Sequence, residues 1–297
     1  MGSKLRIVLL TGLILSVQGG SERSLSAQEG PWSEMDYGPF LSAAIEVSTE
    51  NIACKGIAIP LTTGGQRAAL FDTAELRWAA AWDGDFVELL GIVYDGPHGT
   101  WPKISGEVAW QNPTGPGVTE IQSDFDDPRK FLFGPLPKGK GRWKGLQRDR
   151  QGVLLHYAIG ETLVYERMAA LKEAEVSFWK RSIHLENLKS GLKFSIMELP
   201  IGASLKPPQR SGDPWIVQKD DGQGFLLGFE NKTEAQISIE SNRLILLAPA
   251  SEKAIYCHLY LSEFEKAPPV QEFQNLRNRV YLLNPSPMGE TWEKGAY

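Results

Sequence analysis

Short apolar segments, each interrupted by turn-forming residues, constrain the fold of this chain more than any other feature. From Asp36 onward, hydrophobic residues recur at every second position or in short blocks that end at Gly, Pro, Asp or Asn. Period-two alternation is typical of a strand with one buried face, and these blocks leave little room for long helices. Thirty Gly and nineteen Pro are spread along the 297 residues, which supplies turns for many strands.

The pattern predicts an all-β chain with one or two short helices. Helices are predicted at residues 168–175 and at 270–280, the second after two prolines. Strands are predicted at residues 52–61, 68–71, 76–82, 86–94, 105–110, 152–158, 162–167, 176–185, 192–199, 215–218, 225–229, 235–239, 243–247 and 255–261. The fold expected from this spacing is an antiparallel β-sandwich, with an enlarged two-sheet sandwich of the mutarotase type as a refinement.

The N-terminus has the layout of a secretory signal peptide. Lys4 and Arg6 precede an apolar stretch at residues 7–17, and a Gly/Ser-rich zone follows. Cleavage fits after Gly19 or after Ala27, and the apolar stretch is shorter than the roughly 20 residues of a spanning helix. We therefore predict a signal peptide at 1–27 and a secreted or periplasmic mature chain without a membrane span.

Two further segments complete the predicted organisation. Residues 28–265 form one all-β domain, and residues 111–150, rich in Pro and Gly, form a long loop over it. Residues 266–297 form a C-terminal helix and a tail that is the start of a linker if the protein continues.

The net charge of −5 argues against a nucleic-acid partner, which would need a basic excess.

Several ordered stretches carry a resemblance to a known domain. They are Asp36-Tyr37-Gly38-Pro39-Phe40, Asn51-Ile52-Ala53-Cys54-Lys55-Gly56-Ile57, Leu70-Phe71-Asp72-Thr73 with Leu76-Arg77-Trp78 and Trp82, Asp95-Gly96-Pro97-His98-Gly99, and Phe133-Gly134-Pro135-Leu136-Pro137. Over residues 36–265 the chain resembles a domain of unknown function at the N-terminus of large secreted proteins of planctomycetes and their relatives. Many of those proteins carry a c-type cytochrome module further along. The resemblance implies an exported domain of unassigned activity.

One cluster of aromatic and polar residues suggests a ligand site. A sugar site needs a flat aromatic face for the C–H side of the ring and polar groups for its hydroxyls. Trp101 with Asp95 and His98 fits this need, and Trp82, Asp83 and Asp85 form a second loop of the same kind. A single strand over 86–94 would separate the two loops by about 25–30 Å. The alternative is that the Asp-Gly loops are turns and the tryptophans belong to the core.

Other candidate sites are weaker. Asp83/Asp85 and Asp124/Asp126/Asp127 are carboxylates close in sequence, but nothing in the sequence drives their pKa values apart as a glycosidase requires. His258 alternates with Tyr256 and Tyr260, which indicates either a binding face or, as we favour, the half-buried side of a sheet. Cys54 and Cys257 are expected to be separate thiols, although an exported protein permits a disulfide.

Motifs for zinc hydrolases, nucleophilic serines, dinucleotide sites and covalent haem attachment do not occur in the sequence. We therefore predict no catalytic, metal or haem residues and no cofactor. The favoured function is a non-catalytic binding or scaffolding domain of an exported protein, with carbohydrate as the ligand class. The alternatives are a polysaccharide-acting hydrolase or lyase, and a docking domain for a cytochrome-bearing secreted protein.

Overall fold

The computed structural model describes residues 36–89, 101–131, 134–210, 212–231 and 234–283. The predicted signal peptide, Asp95 and His98 lie outside these residues. The described residues form nineteen strands and one helix: β1 Leu41–Ser48, β2 Asn51–Pro60, β3 Arg67–Asp72, β4 Arg77–Asp83, β5 Val87–Glu88, β6 Lys103–Ile104, β7 Glu107–Gln111, β8 Val118–Glu120, β9 Arg142–Asp149, β10 Gly152–Ile159, β11 Thr162–Glu173, β12 Val176–Glu186, β13 Leu192–Glu198, β14 Ser204–Lys206, β15 Trp215–Gln218, β16 Gly224–Asn231, β17 Gln236–Glu240, β18 Arg243–Ala248, β19 Ile255–Phe264 and α1 Val270–Leu283. In the described part of the chain, no helix is long and apolar enough to cross a membrane.

The strands of the described residues form three sheets. The first sheet has the order β5-β6-β1-β2-β3-β4-β7, the second β14-β15-β16-β19-β12-β11-β10-β9, and the third β17-β18-β13-β8. Neighbouring strands pair antiparallel, with β1 and β6 as a parallel exception. The prediction of an all-β, antiparallel sandwich is confirmed.

One main core joins the three sheets. Phe71 and Trp78 of the first sheet, Tyr157 and Trp179 of the second, and Phe194 of the third are all buried in it. A smaller cluster around Trp82 fills the other side of the first sheet. A third cluster lies between α1 and the outer side of the second sheet, where Phe273 packs on Tyr260 with ring centroids 5.8 Å apart. Because α1 covers only part of that outer side, the rest of it is free to carry polar and aromatic residues.

Buried ion pairs cross the main core. Glu166 of β11 accepts hydrogen bonds from Trp78 Nε1 at 2.7 Å and from Arg181 Nε at 2.7 Å, and the Tyr157 hydroxyl also donates to it. Arg181 donates in turn to the carbonyl of Ser195 at 2.8 Å. The carboxylate therefore links the first and second sheets, and the guanidinium links the second and third.

Two sequence predictions about elements are wrong. Residues 168–175 are not a helix: β11 continues to Glu173, since Met168 is buried in the main core and the whole length of β11 pairs with β12. The segment 111–150 is not one long loop, because it contains β8 and the eight residues of β9. Strand β9 escaped prediction because Lys, Arg and Gly alternate in it with few apolar residues, as suits an edge strand.

Candidate functional site

Four aromatic side chains lie directly opposite one another across four strands of the second sheet. His156 of β10 pairs with Tyr165 of β11, Tyr165 with His184 of β12, and His184 with Tyr256 of β19. Side chains at directly opposed positions share one face of a sheet and lie within contact distance. These four residues, which we call the ladder, therefore cross the outer face beside the part covered by α1.

The rings of the ladder are stacked. Ring centroids lie 4.4 Å apart between His156 and Tyr165, 5.4 Å between Tyr165 and His184, and 4.1 Å between His184 and Tyr256. The interplanar angles are 11°, 25° and 11°. His184 is buried, and the other three are half-buried. Because stacking occupies both faces of Tyr165 and both ring nitrogens of His184 are buried, a ligand can reach Tyr165 only at its edge and hydroxyl, while His184 acts as a buried spacer between its two neighbours.

Burial, with smaller contributions from neighbouring charges, sets the protonation state of the two end residues of the ladder. Burial lowers the pKa of His156, the Lys144 ammonium lowers it further, and the Glu186 carboxylate opposes both. Burial and Glu186 raise the pKa of Tyr256. Both side chains are consequently neutral near pH 7, and each can donate and accept a hydrogen bond. Glu186 Oε1 also lies 3.6 Å from His184 Nε2.

A β-bulge in the edge strand β9 shapes one end of the ladder. Gly145 lies opposite His156, and the pairing of β9 with β10 shifts at this point, so that Lys144 is the extra residue. Gly145 has φ +144°, a conformation that a residue with a side chain rarely adopts. A Cβ at Gly145 would have no described atom within 4 Å. At the position directly opposite His156, the edge strand therefore adds backbone but no side chain.

The row that was predicted from His258, Tyr256 and Tyr260 is divided between two environments. Tyr256 ends the ladder. His258 Nδ1 lies 2.9 Å from the Ser182 hydroxyl. Tyr260 is fully buried under α1 and donates to Glu230 Oε2 at 3.0 Å. The row on β19 therefore matches the favoured interpretation, the half-buried side of a sheet. The ladder crosses this row at right angles and was not predicted.

Trp82 and Asp85, two of the predicted ligand residues, form one local structure. Trp82 is fully buried in the smaller core, and its Nε1 donates to the carbonyl of Asp85 at 3.0 Å and of Phe86 at 2.9 Å. A fully buried indole offers no ring face to a ligand at the surface, so the ligand prediction for Trp82 is corrected to a core role. Asp85 is exposed in the turn that follows β4.

Asp83 ends β4 beside a contact between the first and second sheets. Arg67 donates to both of its oxygens at 2.6 Å, and the Arg67 guanidinium lies 3.8 Å above the ring of Trp179. Partial desolvation raises the pKa of Glu263 to about 7, with further contributions from Asp83 and Glu107 and opposition from Arg67. We call Arg67, Asp83, Glu107 and Glu263 the acidic mouth.

Trp101 is the most exposed tryptophan of the described residues, with 44% of its surface accessible. It comes two residues before β6, whose Lys103 lies opposite Glu46 of β1. Glu107 of the acidic mouth follows Trp101 by six residues and pairs with Asp83.

The remaining candidates have structural partners or no ligand geometry. Asp127 accepts hydrogen bonds from Arg129, which holds the pKa of Asp127 below its usual range. Cys54 is exposed and Cys257 is buried, and both are free thiols. Within the described ranges, no group of three or more His, Cys, Asp or Glu side chains is placed to hold a metal ion.

Comparisons with known proteins match one segment of the chain to a family model and find distant similarities among solved structures. A family model for a domain of unknown function, DUF6797, matches residues 69–166. No curated protein matches the chain. Among solved structures, a heparinase III is 9% identical to this chain, with a TM-score of 0.38. The match covers 71% of this chain and 35% of the heparinase chain. The GH36 α-galactosidase AgaB from Geobacillus stearothermophilus is 10% identical to this chain, with a TM-score of 0.35. This match covers 74% of this chain and 41% of the galactosidase chain. The chain thus spans well under half the length of these enzymes, and residues 69–166 match the domain of unknown function.

Proposed function

We propose that this chain is a non-catalytic carbohydrate-binding domain of an exported protein. The observation that carries the proposal is the ladder: His156, Tyr165, His184 and Tyr256 form one continuous row of rings across an outer sheet face. His156 and Tyr256, the two ends of the row, are neutral near pH 7, and the tyrosine hydroxyls of the row can donate and accept hydrogen bonds. Export is supported by the layout of residues 1–27.

The chemistry of the row suits a polyhydroxylated ligand. Sugar hydroxyls need neutral partners that both donate and accept, and the C–H groups of a sugar ring need an apolar surface. The half-buried side chains of Tyr165 and Tyr256 supply the hydroxyls and the apolar ring surface. Gly145 places no side chain directly opposite His156, so that an extended polymer can continue over the sheet edge.

Calorimetric titration of the full chain with a panel of soluble polysaccharides tests the proposal. Wild-type protein should bind at least one of them, and Tyr165→Ala and Tyr256→Ala should each weaken that binding about tenfold by removing one ring of the row. Phe131→Ala is the matched control, since Phe131 is 61% exposed and is not part of the ladder. Circular dichroism confirms that each variant is folded.

Two results would contradict the assignment. Wild-type protein that binds no polysaccharide of the panel excludes carbohydrate binding as its function. Binding that is unchanged in both tyrosine variants but lost in Trp101→Ala moves the site to the exposed tryptophan before β6.

A second candidate, polysaccharide cleavage, is favoured by the acidic mouth. Acid–base catalysis needs two carboxyl groups in unequal environments, and Glu263 has a pKa raised to about 7 while Asp83 forms a two-bond ion pair with Arg67. If this candidate is right, the protein releases soluble products from a polysaccharide and Glu263→Gln abolishes the release. Binding without product release favours the first proposal.

A further inference from the structure

The ladder adjoins a strongly basic edge of the same sheet. Residues 138–150, comprising the turn before β9, the strand itself and the turn after it, contain six basic residues and one acidic residue in a chain whose net charge is −5. We call the six the basic edge: they are Lys138, Lys140, Arg142, Lys144, Arg148 and Arg150. All six are exposed.

The charges of the basic edge are not used inside the molecule. Among the described residues, none of the six side chains forms an ion pair. The acidic residue of the segment, Asp149, is already paired with Arg167. Unpaired cations on an edge strand discourage edge-to-edge aggregation. That role does not require Lys138 and Lys140, which precede the strand.

Register places part of the basic edge beside the ladder. Arg142 lies opposite Ala158 on the side of the sheet that carries His156, and Lys144 is the bulge residue next to Gly145. Lys144 is near enough to His156 to lower its pKa. A polymer that follows the ladder across the strands towards β9 therefore reaches a group of cations at the sheet edge.

We infer that the ligand is an anionic polysaccharide, whose rings contact the ladder and whose carboxylate or sulfate groups meet the basic edge. This inference rests on the proposed carbohydrate-binding function and names the ligand class of that site. Neutral hydrogen-bonding rings recognise the sugar, while lysine and arginine supply charge complementarity and attract the polymer from solution. Because the basic residues are exposed, salt should weaken this contribution strongly.

Binding of the full chain to four probes tests the inference. The probes are polygalacturonate, chondroitin sulfate, neutral dextran and a DNA duplex, each at low and at about 0.2 M salt. The triple variant Lys140→Ser/Arg142→Ser/Lys144→Ser should bind the anionic polysaccharides about tenfold more weakly than wild type. The control triple variant Lys55→Ser/Lys253→Ser/Lys266→Ser removes the same charge from exposed lysines elsewhere and should bind like wild type.

The outcomes separate the two proposals. Binding of polygalacturonate shows that carboxylates suffice, whereas a preference for chondroitin sulfate, which carries both carboxylates and sulfates, shows that sulfate contributes, and either result supports the inference. Binding of dextran alone overturns the anionic ligand class but leaves carbohydrate binding intact, whereas binding of no polysaccharide overturns both. Equal binding of DNA and polysaccharide, or unchanged anionic binding in the basic-edge variant, also overturns the inference.

Discussion

Glu166 is the buried charge on which the sheets of the sandwich depend most directly. It is fully buried, and it receives hydrogen bonds from Trp78, Tyr157 and Arg181. Removing one member of a buried ion pair leaves the other charge uncompensated in a low-dielectric environment. The carboxylate is therefore expected to matter for stability far more than a surface carboxylate does.

We predict that Glu166→Gln lowers the free energy of unfolding by about 3–5 kcal/mol, because Arg181 then remains buried without its counter-ion. Urea unfolding followed by tryptophan fluorescence measures the loss. Glu161→Gln is the matched control: Glu161 forms an exposed pair with Lys189, and its removal should leave stability nearly unchanged because water and salt screen the pair. If the two substitutions lower the free energy of unfolding equally, the buried pair stabilises the protein no more than the exposed pair does.

Glu263 should make stability depend on pH in the opposite sense to an ordinary salt-bridged carboxylate. Its pKa is raised to about 7 in the folded state from 4.5, so the folded state binds the proton more tightly than the unfolded state does. Stability from this group is present below about pH 4.5 and is lost as the pH rises through about 7. Part of the effect is screened, because the side chain is exposed to water.

Glu263→Gln should therefore raise the melting temperature at pH 8 relative to wild type and have little effect at pH 4.5. Melting curves of both proteins across this range measure the difference. A melting temperature that is unchanged at pH 8 would show that the acidic mouth is too well hydrated to perturb Glu263. Glu265→Gln, at a neighbouring exposed carboxylate, controls for the change in net charge.

At the residue scale, the sequence could not have revealed the ladder. His156, Tyr165, His184 and Tyr256 are spread over four strands, and only the register of three strand pairs brings them together. A shift of one residue in any pair would send the ring to the opposite face. His258 and its tyrosine neighbours could be predicted as one face of β19, because that alternation lies within a single strand.

Helix α1 attaches to the outer side of the second sheet through Phe273. Phe273 inserts against Gly228 of β16, and a Cβ at Gly228 would overlap the ring of Phe273. Glycine at this position therefore permits the close approach of helix and sheet. Arg277 Nη1 also donates to the carbonyl of Gly212 at 3.3 Å, and Arg277 Nε pairs with Glu230 at 3.2 Å.

We predict that Gly228→Ala destabilises the protein by about 1–3 kcal/mol through overpacking, and that Phe273→Ala costs about 3–5 kcal/mol through a lost aromatic contact. Because both changes act on one contact, the double variant should lose less stability than the two single losses together. Thermal or urea unfolding of the four proteins measures the coupling. Strict additivity would mean that α1 does not seat Phe273 on Gly228.

At the element scale, prediction succeeded where apolar alternation and turns agree, as in β15, whose bounds match the predicted segment. It failed at residues 168–175, where Ala, Leu, Lys and Glu favour a helix locally but pairing with β12 imposes a strand. It also failed at β9, whose charged edge lacks the alternation that marks a buried strand. In both cases, contacts distant in sequence decide the local structure.

At the scale of the molecule, the segment that matches the DUF6797 family is not a separate structural unit. Residues 69–166 begin within β3 and end within β11. They exclude β2, which pairs with β3, and β12, which pairs with β11 along its whole length. They also exclude Arg181, the counter-ion of Glu166, so the segment would carry a buried carboxylate without its partner.

The isolated segment 69–166 should therefore fail to fold, while the full chain should unfold in one cooperative transition. In the fragment, two inner strands, β3 and β11, become sheet edges. The side of the core that β12, β13 and β19 supply is also missing, so the apolar residues of the fragment cannot be buried. Near-ultraviolet circular dichroism and urea unfolding distinguish the two, since a folded fragment would show fixed tryptophan environments and a sigmoidal transition. If the fragment folds, residues 69–166 are sufficient for a stable structure. Glu166 would then be tolerated in the core without Arg181, which contradicts the prediction for Glu166→Gln.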